Sequence, residues 1–158
     1  MKQKIETLSL DESLGFWIHR SYIQISAALR KAFKDAGNDL TPEQWTILFG
    51  LWEEEGLNQS QLGKKTYKGR HNMTRIIRQL EKRGYIEKRQ DEKNKRAICI
   101  YLTPFGHKTL KVLKPIFLKH CDRVCKGFSK DDLQKLRDYL GHIGNNLRHS
   151  IMINRTLE

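Results

Sequence analysis

The sequence predicts a mainly α protein with a small β-hairpin, an α+β chain in which helices frame a short two-stranded ribbon. Three observations predict it. Cap residues followed by apolar stripes at helical spacing recur along the 158 residues. One late run alternates with period two, and turn signals such as Gly37-Asn38 and Lys68-Gly69 separate the periodic stretches. With 38% hydrophobic and 9% aromatic residues, the chain has enough apolar surface to bury a core, which excludes a disordered basic tail.

Asp11 precedes Leu14, Ile18, Tyr22, Ile25, Leu29 and Phe33, which recur at helical spacing until Gly37-Asn38 stops them. Thr41-Pro42-Glu43-Gln44 places a hydroxyl cap, a proline at the first helical position and a returning amide in one short stretch, opening a helix with Trp45, Leu48, Phe49 and Trp52 as its stripe. Asn58-Gln59-Ser60-Gln61 repeats that signal for a short helix ending near Thr66, before a turn at Lys68-Gly69. Met73, Ile76, Ile77 and Leu80 then mark one buried helical face, with Gly84 just past its end. Tyr85 to Arg89 reads as a strand. Ile98, Ile100 and Leu102 alternate with Ala97, Cys99 and Tyr101, so a hairpin is expected with its connection at residues 91 to 96. Thr103-Pro104 starts a helix through Leu110, Leu113, Phe117 and Val124, in which Pro115 is expected to cause a kink or local distortion. Ser129 and Asp132 open the last helix, whose Leu133, Leu136, Leu140, Ile143 and Leu147 form the narrow stripe of a helix that pairs with another.

The formal net charge is +12, and Gln59 to Arg96 contain 13 Lys/Arg against 4 Asp/Glu, so a short window holds most of it. Such a field attracts a polyanion, with nucleic acid ahead of an anionic membrane. Only three cysteines occur, in no paired spacing, which fits a reducing, cytoplasmic setting. The N-terminus lacks an apolar leader core, and no stretch is long and apolar enough to span a bilayer, so no membrane association is expected.

Residues 41–102 therefore read helix, helix, helix, strand, loop, strand: a helix-turn-helix followed by a β-wing. On the helix over 70–83, His71, Arg75, Arg78 and Lys82 lie opposite the buried stripe, flanked by Asn72, Thr74 and Gln79. Arg bridges guanine O6 and N7, and Asn or Gln pairs with adenine, so this face suits the major groove of double-stranded DNA. A basic helix face can also be merely solvated. Its neighbours favour DNA, because Lys93, Lys95 and Arg96 at the hairpin tip present donors to the same phosphate-lined surface.

The segment LNQSQLGKKTYKGRHNMTRIIRQLEKRGYIEKRQDEKNKRAICIYLTPFG resembles the winged helix-turn-helix of the MarR (multiple antibiotic resistance regulator) transcription factors, most specifically in LEKRGYIEKR…D…KR…LT…G, Leu80 to Gly106. The resemblance implies one domain over 1–158, with dimerisation helices at 11–36 and 104–150 and the winged helix-turn-helix at 41–102. It implies a homodimer that represses, less often activates, nearby genes and is relieved by a small molecule. Carried over by residue, Arg70, His71, Asn72, Thr74 and Arg75 fall on the major-groove face, and Asp91, Lys93, Lys95 and Arg96 on the wing. Relatives tend to carry Arg and Asp where this chain has Lys93 and Asn94, and Lys lacks the flat fork of Arg.

The dimer also follows from the stripes alone. Trp17, Ile18, Tyr22, Leu133, Leu136, Leu140 and Leu147 lie on helices at the two ends of the chain, which could not all bury them against the small winged region. Half-sites about 10 bp apart, or a multiple of that, give a pseudo-palindromic site. Trp17, Arg20, Tyr22, Trp45 and Phe49 form a candidate lining for a small aromatic or anionic effector, although the Trp rings also suit core packing. Gly15 stands where peroxide-sensing relatives carry cysteine. Redox or metal control would fall to Cys121 and Cys125, four apart beside Lys119, His120 and Arg123, but no second Cys or His pair has zinc-like spacing, so no metal and no cofactor is expected. Nor is an enzyme expected, since no nucleophile elbow or glycine-rich turn accompanies the Cys and His residues. A winged helix that binds RNA is the remaining alternative.

Overall fold

Ser13, Thr41, Asn58 and Ser129 each open a helix by one device, a side-chain oxygen that accepts the backbone N–H three residues on, at 3.4, 3.2, 2.9 and 3.1 Å. This satisfies one of the donors that a helix start leaves open. At three of these starts the later side chain answers by accepting the cap residue's own N–H, from Gln44, Gln61 and Asp132 at 3.1, 2.9 and 3.0 Å. The helices so opened are α1 (Leu14–Asp35), α2 (Pro42–Glu53), α3 (Gln59–Lys65) and α6 (Lys130–Arg155). Between α3 and α6 lie α4 (Arg70–Lys82) and α5 (Pro104–Val124). The computed structural model describes residues 9–91, 94–95 and 97–155, with backbone alone for 148–155.

The expected hairpin is present as β2 (Ile86–Gln90) and β3 (Ile98–Leu102), antiparallel with Ile86 opposite Leu102 and Gln90 opposite Ile98. A third strand joins it. β1 (Leu57–Asn58) pairs Leu57 with Ile100 and Asn58 with Cys99, which makes β3 the central strand in the order β1-β3-β2. Two residues are too few to show a period, so β1 has no signature in the sequence.

The core gathers where the stripes meet: Phe33 from α1, Leu48 and Leu51 from α2, Leu62 from α3, Met73, Ile76, Ile77 and Leu80 from α4, and Ile86 and Ile100 from the sheet are all buried. The outer end of the sheet departs from simple alternation. Ile98 is 54% exposed although Ile100 and Leu102 on its face are buried, and Cys99 on the other face is only 5% exposed. Ile98 lies opposite Gln90 at the distal end of the hairpin, while the Cys99 side is closed by Asp91.

The chain forms two compact units, Met1–His120 and Cys121–Glu158. In the first, α1 buries only Leu29 and Phe33, while Leu14, Trp17, Ile18, Tyr22 and Ile25 of the same helix are exposed. In the second, Leu136, Leu140 and Leu147 of α6 are exposed as well. Pro115 lies inside α5, which runs through it without a break in helical assignment. Pro115 denies the Lys111 carbonyl its usual donor, but both residues are exposed, so water can serve instead.

Candidate nucleic-acid interface

α4 is split lengthwise by its sequence. Met73, Ile76, Ile77 and Leu80 are buried, whereas Arg70, His71, Asn72, Thr74, Arg75, Arg78, Gln79 and Lys82 are exposed. Arg70, His71, Thr74, Arg75, Arg78 and Gln79 together line an open groove of about 440 Å³. Asn72 and Lys82 lie on the helix outside that lining. Unlike the other five helices, in which a Ser, Thr or Asn side chain accepts an N–H of the first turn, α4 has Gly69 at its cap position, so its first N–H groups are unclaimed by a cap side chain. A helix start in this condition favours an anion.

Neighbouring elements hold this face in place. Gln59 at the start of α3 donates to the Thr74 hydroxyl at 2.6 Å, and that hydroxyl donates to the Arg70 carbonyl at 3.0 Å. Glu43 in the first turn of α2 receives Lys68 at 2.9 Å and lies 3.7 Å from the Arg75 guanidinium. Beyond the other end of α4, Arg83 pairs with Asp39, donates to Gln44 at 3.1 Å and to the Tyr85 hydroxyl at 3.3 Å, and lies over the Tyr85 ring. These contacts separate paired from unpaired basic residues, with Arg75 between them at 3.7 Å from Glu43. Lys65, Lys68, Arg83, Lys88 and Arg89 are committed to carboxylates of the chain itself. Exposed Lys64, Arg70, Arg78, Lys82 and Lys95 make no ion pair with a described residue.

On the wing, Lys95 is exposed, and Lys93 and Arg96 lie outside the described residues. Asp91 is directed at its own loop: its carboxylate accepts the Asn94 N–H at 2.8 Å and lies 3.6 Å from the Cys99 sulfur. The Asp91 N–H donates to the Ala97 carbonyl at 3.0 Å, and the Ala97 N–H to the Asn94 carbonyl at 2.8 Å. Asp91 thus ties the hairpin connection together.

The residues considered for an effector fall into two groups. The Arg20 guanidinium lies 5.1 Å from the centre of the Trp17 ring, and the Trp17 indole donates to the Asp11 carbonyl at 2.7 Å, both on the exposed part of α1. Tyr22 is 53% exposed on the same helix. Trp45 and Phe49 instead belong to an aromatic cluster with Phe33 and Phe117, at centroid distances of 5.1 to 5.9 Å. The Trp45 indole N–H is buried with no acceptor among the described residues. Cys121 and Cys125 are both half-buried. Burial pushes the Cys121 thiol up, and Cys125 and Asp122 add to the shift, opposite to the direction a thiolate sensor requires. Among the described residues no three His, Cys, Asp or Glu side chains are grouped to hold a metal, and no helix is long and apolar enough to cross a membrane.

Sequence reading omits Glu43, Gln59 and Arg83 from this surface. Glu43 carried only its capping signal, and Gln44 and Asp39, which Arg83 joins, lie 39 and 44 residues from it in the chain.

Residues 40–98 match the MarR family. The chain is 30% identical over 139 residues to the HTH-type transcriptional regulator TtmR of Methylorubrum extorquens, covering 88% of this chain and 69% of that protein. A probable transcriptional regulator from Pseudomonas aeruginosa superposes with a TM-score of 0.77 at 26% identity, over 85% of this chain and 99% of that one. BpsR of Bordetella bronchiseptica, whose DNA binding is regulated by 6-hydroxynicotinic acid, shares the fold with a TM-score of 0.78 at 18% identity, over 87% of this chain and 97% of its own. The chain therefore belongs to the MarR family and is a DNA-binding transcriptional regulator.

Proposed function

We propose that the protein is a homodimeric repressor that works in the cytoplasm, reads a pseudo-palindromic operator with α4 and the wing, and releases it on binding a small aromatic or anionic effector. The observation that carries the operator reading is the groove on α4. Arg70, Arg75 and Arg78 line it with Thr74 and Gln79, offering forked and amide donors to base edges, while the exposed Lys82 and Lys95 add positive charge.

The exposed apolar residues on α1 and α6 support the homodimer. Isolated surface hydrophobes need no explanation, but rows along two terminal helices do, and a second copy would cover both. The buried Trp45 N–H supports an effector. A buried donor without an acceptor costs about 1–3 kcal/mol, and an effector carboxylate or carbonyl would relieve that cost.

Selection of bound duplexes from random DNA, with sedimentation of the same preparation, tests the proposal. The expected result is a dimer at micromolar concentration and an enriched inverted repeat. A monomer, or enrichment of a single half-site, would overturn it. Within the selected site, Arg75→Ala should cost about 1–3 kcal/mol and relax preference at one position of each half-site, whereas Lys95→Ala should weaken all duplexes alike. Competition binding against the selected and scrambled duplexes separates these two patterns.

A further inference from the structure

Three helices of this protein end in the same way, and one of them does so with the wrong residue. After α1, the Gly37 N–H donates to the Lys34 carbonyl and the Asn38 N–H to the Phe33 carbonyl, both at 2.9 Å. After α4, the Gly84 N–H donates to Glu81 at 2.9 Å and the Tyr85 N–H to Leu80 at 3.0 Å. After α3, the Tyr67 N–H donates to Lys64 at 3.4 Å and the Lys68 N–H to Gly63 at 2.9 Å. This paired closure requires a left-handed residue at its pivot, the position glycine fills without steric cost. Gly37 and Gly84 supply it at φ of 76° and 73°; in α3 it is Tyr67, at 53°, the one non-glycine residue with positive φ among the described residues.

The fold gains nothing visible from that ring. Tyr67 is 85% exposed, the highest value among the exposed large hydrophobic side chains described. A strained backbone position combined with an unburied aromatic ring points to a use outside the folded chain. The location indicates which use. Tyr67 lies in the turn between α3 and α4, two residues before the uncapped start of α4, in the run Lys64-Lys65-Thr66-Tyr67-Lys68-Gly69-Arg70. Cationic neighbours suit a phosphate-bearing partner.

We infer that Tyr67 is a DNA-positioning residue, its ring packing against a deoxyribose and its phenol donating to the adjoining phosphate where the backbone passes the start of α4. Tyr is among the side chains that make such contacts, which set register and carry no base preference of their own. The inference rests on α4 being the helix that enters the groove.

The test uses the full-length protein and its Tyr67→Gly and Tyr67→Phe variants, with thermal midpoint and affinity for the selected and for a scrambled duplex measured at one salt concentration. Glycine should raise the midpoint by about 2 °C by removing the strain, yet weaken binding to both duplexes by about tenfold. Phenylalanine should leave the midpoint unchanged and lose about threefold, the share of the phenol. Because the phenol is neutral, neither variant should alter the salt dependence of binding. A glycine variant that binds like the parent would overturn the Tyr67 assignment alone. One that melts lower than the parent would show the ring serving the fold, and would overturn it too. A parent that binds no duplex would overturn the placement of α4 in the groove, a separately recognisable failure.

Discussion

Gly106→Ala is expected to destabilise the fold by about 3 kcal/mol, a large share of the roughly 5–15 kcal/mol that holds a domain together. A Cβ at Gly106 would lie 2.2 Å from the Tyr85 carbonyl oxygen and 3.2 Å from its carbon, both of them backbone atoms without a flexible side chain's freedom to move aside. That carbonyl already accepts the Thr103 N–H at 3.1 Å. The Thr103 hydroxyl donates to the Gly84 carbonyl at 2.5 Å and accepts the Gly106 N–H at 3.0 Å. The first turn of α5 is thus clamped onto the turn between α4 and β2, and a methyl group would prise them apart. Alanine's better helix propensity returns only about 1 kcal/mol, so the clash wins. Urea denaturation should show a lower midpoint with an unchanged slope. Gly15→Ala is the control, because among the described residues its Cβ would meet the Ser13 hydroxyl oxygen alone, at an ordinary 3.7 Å. Equal midpoints for Gly106→Ala and the parent would mean that the clamp yields.

The second large effect expected is of salt on operator binding. Arg70, Arg78, Lys82 and Lys95 are exposed and free of ion pairs with described residues, and a dimer would present them twice. Each phosphate neutralised contributes about −0.9 to the slope of log affinity against log salt, so six to ten contacts would cost roughly 10³–10⁵ in affinity between 50 and 200 mM. Lys65, Lys68 and Arg83 should contribute less, since they already face Glu54, Glu43 and Asp39. Fluorescence anisotropy with the selected duplex across that range measures the slope. A value shallower than about −3 would mean that the free cations do not sit on phosphates.

What was legible in the sequence was whatever repeats locally. The i, i+3, i+4, i+7 spacing of Met73, Ile76, Ile77 and Leu80 fixed both the buried and the outward face of α4, and the capping pairs at Thr41–Gln44 and Asn58–Gln61 placed two helix starts to the residue. What was not legible depends on partners distant in the chain or on conformation. The Arg83 brace joins residues from three segments, β1 is too short to alternate, and the strain at Tyr67 is a property of a dihedral angle. Asp91 was legible as a wing residue, but its bonds to Asn94 and Cys99 within the hairpin connection had no local sequence signal. The stripes of α1 and α6 are apolar, and within one chain Leu14, Trp17, Ile18, Tyr22 and Ile25 of α1 and Leu136, Leu140 and Leu147 of α6 remain exposed.

The pairing of Leu57 with Ile100 also bears on how the chain acquires its structure. Helices α2, α3 and α4 follow one another closely and can pack as they leave the ribosome. β1 has no strand to join until β3 has been made, because β3 lies between β1 and β2 in the sheet. Closing that long loop costs entropy before any strand bond repays it. The sheet is therefore the last part of the winged region to form during synthesis, and until it does, the apolar Leu57 side chain waits without its cover.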